Sequence, residues 1–142
     1  MMRATRFRFM IPVAGLALAI LAGSAAPAGQ AERPAELPAL RSIERGMWEL
    51  RVRGSSAPPR KLCVADPSML VQIQHGGGTC SRFVIDSQPN RATVHYTCPG
   101  AGHGRTSIRV ESSRILQIES QGIANNAPFN VSYEARHAGA CR

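Results

Sequence analysis

The sequence predicts a mainly β fold: a curved antiparallel meander sheet or partial barrel of about seven strands with one short helix, stapled by disulfides. Three observations carry that prediction. Apolar and polar residues alternate with a period of two through most of the chain after residue 46, the pattern of strands with one face on a core and one in water. Turn-forming clusters separate these runs at hairpin spacing. Cys63, Cys80, Cys98 and Cys141 make an even cysteine count in a chain of 142 residues, which reads as a disulfide framework.

The N-terminus carries targeting features. Arg3, Arg6 and Arg8 precede an apolar run from Ile11 to Leu21, followed by Gly23, Ser24, Ala25 and Ala26. This is the layout of a secretory signal peptide, and the run is short for a bilayer span. Cleavage after Ala28 uses Ala26-Pro27-Ala28. The residue after Leu21-Ala22-Gly23 is Ser24 rather than Cys, so a lipid anchor is not expected, and neither is a membrane anchor of any kind. Removal of residues 1–28 leaves 14 basic residues against 9 acidic, a net charge of +5. The expected location is periplasmic or secreted. Residues 29–45, rich in Pro, Ala, Glu and Arg, read as an extended or disordered leader in which Leu37–Ile43 could make one helical turn. Residues 46–142 are then a single β-rich domain.

Each element follows from its residues. Met47–Arg53 alternates, with Trp48, Leu50 and Val52 on one face. Arg60–Val64 follows a Gly- and Pro-containing turn. Asp66-Pro67 opens a helix, since the carboxylate can cap free N–H groups and Pro suits the first helical position. Gly76-Gly77-Gly78 ends it near His75. Cys80–Cys98 is a hairpin around Pro89-Asn90. Gly100–Gly104 reads as a connection. Arg105–Glu111 and Ile115–Gln121 pair with Val110 opposite Leu116 and Ile108 opposite Ile118, which keeps the apolar faces together. Gly122–Pro128 reads as a looser segment before a last strand containing Phe129, Val131, Tyr133 and Ala135.

The cysteine spacings of 17, 18 and 43 residues match no zinc signature, so no metal or other cofactor is expected. Three disulfide connectivities are open. The favoured one is Cys63–Cys80 with Cys98–Cys141. A two-residue loop at Pro89-Asn90 puts Ile85 opposite Val94 and Ser81 opposite Cys98, one residue out of step for a Cys80–Cys98 bridge unless a bulge intervenes.

No catalytic residues can be assigned. His75-Gly76-Gly77-Gly78 resembles an oxyanion-hole motif, but no Gly-x-Ser-x-Gly elbow accompanies it. His75, His95, His103 and His137 lack ligand spacing, and the acidic residues fall mainly at outward strand positions and turns. Nucleic acid is not expected, because basic residues are not interleaved with aromatics. Trp48, Tyr96, Phe129 and Tyr133 are the candidates for lining an apolar site on the sheet. The expected function is a non-enzymatic binding or accessory module of the envelope, with an apolar small ligand or an envelope protein as partner. The alternative is a small periplasmic enzyme using histidines and carboxylates that the fold brings together.

The order of motifs resembles one known family. Gly46-Met47-Trp48-Glu49 leads to Cys63, to Asp66-Pro67, to a Gly-rich stretch, to Cys80 and Cys98, and closes on Glu134-Ala135-Arg136 and Gly139-Ala140-Cys141. Over residues 43–142 this is similar to the exported proteobacterial domain-of-unknown-function family 3617. The chain departs from that pattern in its sparse Met content after Cys63 and in stopping one residue after Cys141. The resemblance implies a periplasmic or secreted β-rich protein and supplies no catalytic residues.

Overall fold

The computed structural model describes residues 37–142 apart from residue 77. The signal peptide expected at 1–28 and the first part of the leader lie outside the described residues. Seven strands form one antiparallel sheet: β1 (Gly46–Val52), β2 (Arg60–Val64), β3 (Ser81–Gln88), β4 (Arg91–Cys98), β5 (Gly102–Ser112), β6 (Ile115–Ala124) and β7 (Ala127–Gly139). Their spatial order is β2-β1-β7-β6-β5-β4-β3. The sheet is therefore open, with β2 and β3 as its two edges. The expected meander runs from β3 to β7, and the β1–β2 hairpin then adds beyond β7, so the first and last strands are neighbours.

That order forces one long connection. The chain leaves β2 at one edge and must re-enter β3 at the other. It crosses one face of the sheet as a 3-10 helix, Pro67–His75. Leu70, Val71 and Ile73 of this helix are buried against Trp48, Leu50, Val64, Val94, Ile108, Leu116 and Ile118 of the sheet. Gln72 leaves helical geometry at φ −122°, ψ 38°, so the nine residues act as two short turns, the length 3-10 structure tolerates. The start is capped as expected: Asp66 accepts from the Ser68 N–H at 2.9 Å and from the Ser68 hydroxyl at 2.9 Å. Those two bonds hold the Asp66 carboxyl below its ordinary range.

In the leader, Pro38–Leu40 forms the one helical turn expected within Leu37–Ile43, of 3-10 type, and Leu37, Ala39, Leu40 and Ile43 are buried in the same core. These four buried side chains hold the turn against the bias of Pro38 toward an open chain. Glu44 then anchors the next strand: its carbonyl accepts from Trp48 Nε1 at 2.9 Å.

Two segments expected as loops are strand. β6 runs on to Ala124 and β7 starts at Ala127, joined by Asn125-Asn126 at φ 50° and 61°. Asparagine tolerates the left-handed region that a two-residue hairpin turn needs. β5 begins at Gly102, with Gly104 opposite Tyr96. A Cβ on Gly104 would lie 2.7 Å from Tyr96 Cζ, so glycine there makes room for a ring rather than for a loop.

The disulfide expectation is corrected. The bridges are Cys63–Cys141 and Cys80–Cys98, not Cys63–Cys80 with Cys98–Cys141. The β3–β4 hairpin starts in the expected register, with Gln88 opposite Arg91. It then breaks between Val84 and Asp86, so Val84 faces Val94 and Ser81 faces Thr97. Ile85 is the extra residue, 48% exposed. This one-residue bulge puts Cys80 in step with Cys98. The other bridge follows from β1 lying between β2 and β7: Met47 pairs with both Cys63 and Gly139, which brings Cys141 within reach.

Loop-closure entropy predicts the weight of each bridge. Their separations are 78 and 18 residues, which correspond to about 4.5 and about 3 kcal/mol. Non-reducing peptide mapping is expected to recover these two linked pairs. In urea unfolding, replacing Cys63 and Cys141 by Ser should cost more than replacing Cys80 and Cys98, and the reverse order would contradict the entropic reading.

Candidate functional site

The four aromatic candidates divide by depth. Trp48 and Tyr96 are fully buried, Tyr133 is 6% exposed, and Phe129 is half-buried. All lie on the covered face, but the chain's own helix and N-terminal turn occupy that face. Trp48, Tyr96 and Tyr133 belong to the core, and half-buried Phe129 lies against His75 at its margin. Tyr133 is held further by Gln74, whose Nε2 donates to its hydroxyl at 3.0 Å.

The polar centre of this face is built on His75 and Tyr96. The His75 ring, at the end of the crossover helix, turns inward between Tyr96 and Phe129, with ring centroids at 5.2 and 6.0 Å. His75 Nε2 lies 2.9 Å from the Ile123 carbonyl, and Nδ1 lies 3.1 Å from the Tyr96 hydroxyl. A carbonyl can only accept, so Nε2 carries the proton and donates. In the neutral ring Nδ1 then accepts from the Tyr96 O–H. Near the Tyr96 oxygen, the Ser120 and Thr106 hydroxyls bond each other at 2.8 Å. Burial pushes the Tyr96 phenol above its ordinary value, with these two nearby hydroxyls pulling the other way. Every polar atom of the pair has a partner, and neither ring nitrogen is left for a substrate. Gln72 is handled the same way. Its Nε2 donates to the carbonyls of Gly76 and Gly78 at 3.2 and 2.8 Å, and its Oε1 accepts from Arg82.

A histidine and a carboxylate do converge at a second place. His137 Nδ1 is 3.5 Å from Glu44 Oε2, a contact of ion-pair length although too poor in geometry to count as a hydrogen bond. Ser113 Oγ donates to Glu44 Oε1 at 2.9 Å. These are the three residue types of a hydrolytic triad in the wrong arrangement. A triad needs the second imidazole nitrogen on the serine. Here His137 Nε2 is 3.0 Å from the Arg45 carbonyl, and the serine bonds the carboxylate directly. Glu44 also accepts charge from Arg114 at 3.7 Å. The cluster fastens the turn between β5 and β6 to the segment before β1, a structural task. Sequence spacing could not show it, because residues 44, 113 and 137 come from three distant segments.

The open face is mainly polar, with Phe83, 69% exposed, opposite His95 near one edge. Alternation places Arg91, His95, Arg105, Arg109, Glu119, Gln121, Glu134 and Arg136 there. His95 and His103 approach to 6.0 Å between ring centroids. With Arg105 and Gln121 they surround a shallow depression whose floor is Gly104 and Gly122. Among the described residues no group of three or more His, Cys, Asp or Glu side chains could hold a metal ion. No described helix is long and apolar enough to cross a membrane. Comparison with family models, curated proteins and solved structures finds no match to this chain.

The His75–Tyr96 network makes two measurable predictions. Tyr96→Phe strands the His75 Nδ1 in a part-buried site, and should cost about 1–3 kcal/mol. Gly104→Ala sets a methyl group against the same ring and should cost about 1–3 kcal/mol. The phenol pKa is raised in the fold, so its contribution is full below pH 10 and is lost as the pH climbs past 10 through the folded value. Urea midpoints taken across that range should fall more steeply for the native protein than for Tyr96→Phe.

Proposed function

We propose that this chain is an exported, disulfide-stabilised β-domain that acts in the periplasm or outside the cell as a non-enzymatic binding or accessory module of the envelope, after loss of its signal peptide near Ala28. The observation that carries this reading is the pairing of all four cysteines, Cys63 with Cys141 and Cys80 with Cys98. Bridges of this kind persist in oxidising compartments. Binding is favoured over catalysis by the state of the inner histidines. His75 is bonded at both ring nitrogens, and His137 spends the nitrogen a nucleophile would need on the Arg45 carbonyl.

The resemblance to the exported proteobacterial family belongs to the same proposal. Those of the suggesting residues that open and close the domain meet at one corner of the fold, while Cys80 and Cys98 pair at the far edge. Met47 pairs with Gly139, Trp48 pairs with His137, and Cys63 is bonded to Cys141. A motif split between the two ends of the domain and rejoined in space is what a fold-defining motif requires. The covered face is filled, so the surface left for a partner is the open polar face and the two sheet edges.

The test is recovery of the full chain from the periplasm of a Gram-negative host, followed by intact and native mass spectrometry. The expected product begins at Gly29, has no alkylatable thiol until reduced, and carries a non-covalent mass that survives gentle desolvation. Uncleaved protein with free thiols in the cytosol would overturn the assignment to the envelope. A bare mass under every native condition would overturn the binding role.

A further inference from the structure

The open-face depression is a candidate for recognition by charge. It occupies about 340 Å³, at the small end of ligand sites. Its walls are His95 from β4, His103 and Arg105 from β5, and Gln121 from β6. Register makes them neighbours: His95 is opposite Arg105, and Arg105 is opposite Gln121. The donors thus approach from three adjacent strands.

The charge pattern around the depression singles out Arg105. Four arginines lie on β4–β7. Arg91 pairs with Asp86 at 3.0 Å, Arg109 with Glu111 at 3.0 Å and Arg136 with Glu134 at 2.7 Å. The Arg105 side chain has no ion pair or hydrogen bond among the described residues. Its neighbours are two imidazoles and a carboxamide instead of a carboxylate. The nearest acidic position by register is Glu119, opposite Ser107 and one step along the face, and it does not pair with Arg105. The floor is the open-face backbone of Gly104 and Gly122, whose Cβ positions are directed at the Tyr96 ring and at the β5 backbone.

We infer that this depression binds a phosphate group, carried either by a small soluble phosphomonoester or by an exposed headgroup. A guanidinium offers a planar fork of N–H donors to an oxyanion. One arginine fork already satisfies a carboxylate. A tetrahedral phosphate has further oxygens, and these face the imidazole and carboxamide donors of His95, His103 and Gln121. The ring of donors without an acid also disfavours a metal cation, which would meet the Arg105 charge. This inference rests on the reading of the protein as a binding module and names the ligand chemistry of its open face.

The test uses the mature protein and two probes. In the first arm, inorganic phosphate is titrated at constant ionic strength against a chloride control, with backbone amide shifts as readout. Saturable shifts confined to residues 95, 103–105 and 121 are expected. Arg105→Gln should weaken them about tenfold, the loss of one forked charged contact. Arg109→Gln, on the same strand and face, should leave them unchanged. Shifts spread over all arginines, or lowered equally by the two variants, would overturn the inference. In the second arm, vesicles of phosphatidylcholine with or without phosphatidic acid are sedimented with the protein. Binding only with phosphatidic acid, lost in Arg105→Gln, assigns a headgroup. Phosphate shifts without vesicle binding assign a soluble phosphomonoester, and neither response overturns the site. A ligand retained in native mass spectrometry and untouched by Arg105→Gln would leave the binding module standing and remove this site.

Discussion

The fold depends on one crossing. A seven-stranded open sheet has one apolar face, and the connection from β2 to β3 must both bridge the two edges and cover that face. At about 4.8 Å per strand, six spacings make roughly 29 Å on a flat sheet. Sixteen residues, 65–80, make the trip, and nine of them are spent on a 3-10 helix. Such a helix is weak in isolation. Its stability comes from what holds it: buried Leu70, Val71 and Ile73, the Asp66 cap, the Gln72 bonds to the Gly-rich turn and to Arg82, and the His75 ring against Tyr96. The polar contacts are spaced along the crossing, so no stretch of it is free to lift without leaving a buried group unpaired.

The disulfides belong to the same constraint. Cys63 precedes the helix by four residues and Cys80 follows it by five. A bridge between them would close the crossing on itself and leave the loop free to move as a unit. The observed bridges instead fasten each end to the sheet, Cys63 through the C-terminal segment beside β7 and Cys80 through β4. This arrangement restrains both the crossing and the C-terminus with only two bonds. It also joins the β1–β2 hairpin to the end of the chain, so closure of the domain waits on both termini of residues 46–142.

Much of this was legible in the residues, and the exceptions share a physical form. Period-two alternation located all seven strands, and the Val110–Leu116 and Ile108–Ile118 pairs occur as read. What failed was anything decided by one residue at long range. The hairpin register was right at Gln88–Arg91 and wrong by one at Cys98, because a bulge at Ile85 leaves no mark in composition. Gly102 and Gly104 read as a loop, since what demands glycine there lies on other strands, the Ile123 carbonyl for Gly102 and the Tyr96 ring for Gly104. Gly122–Pro128 reads as loose from composition, although Asn125-Asn126, two residues tolerant of positive φ between alternating runs, is itself a hairpin cue. The aromatic candidates share the covered face by alternation, but burial of Trp48 and Tyr96 depends on how much of the leader folds over them. For the site, His95 and His103 were visible as residues, and the unpaired state of Arg105 was not, because it depends on what the cross-strand neighbours happen to be.

The two faces of the sheet meet at a single glycine pair. Gly104 and Gly122 are opposite one another on β5 and β6. On the covered face the missing Cβ of Gly104 admits the Tyr96 ring and, through its hydroxyl, the His75 end of the crossing helix, while the missing Cβ of Gly122 lets its strand approach the His103 carbonyl of β5. The open-face backbone of the same two residues is the floor of the depression bounded by His95, His103, Arg105 and Gln121. A Cβ at Gly104 would run into the Tyr96 ring and one at Gly122 into the β5 backbone, so either would displace the strands that form the floor. Packing on one side therefore dictates shape on the other.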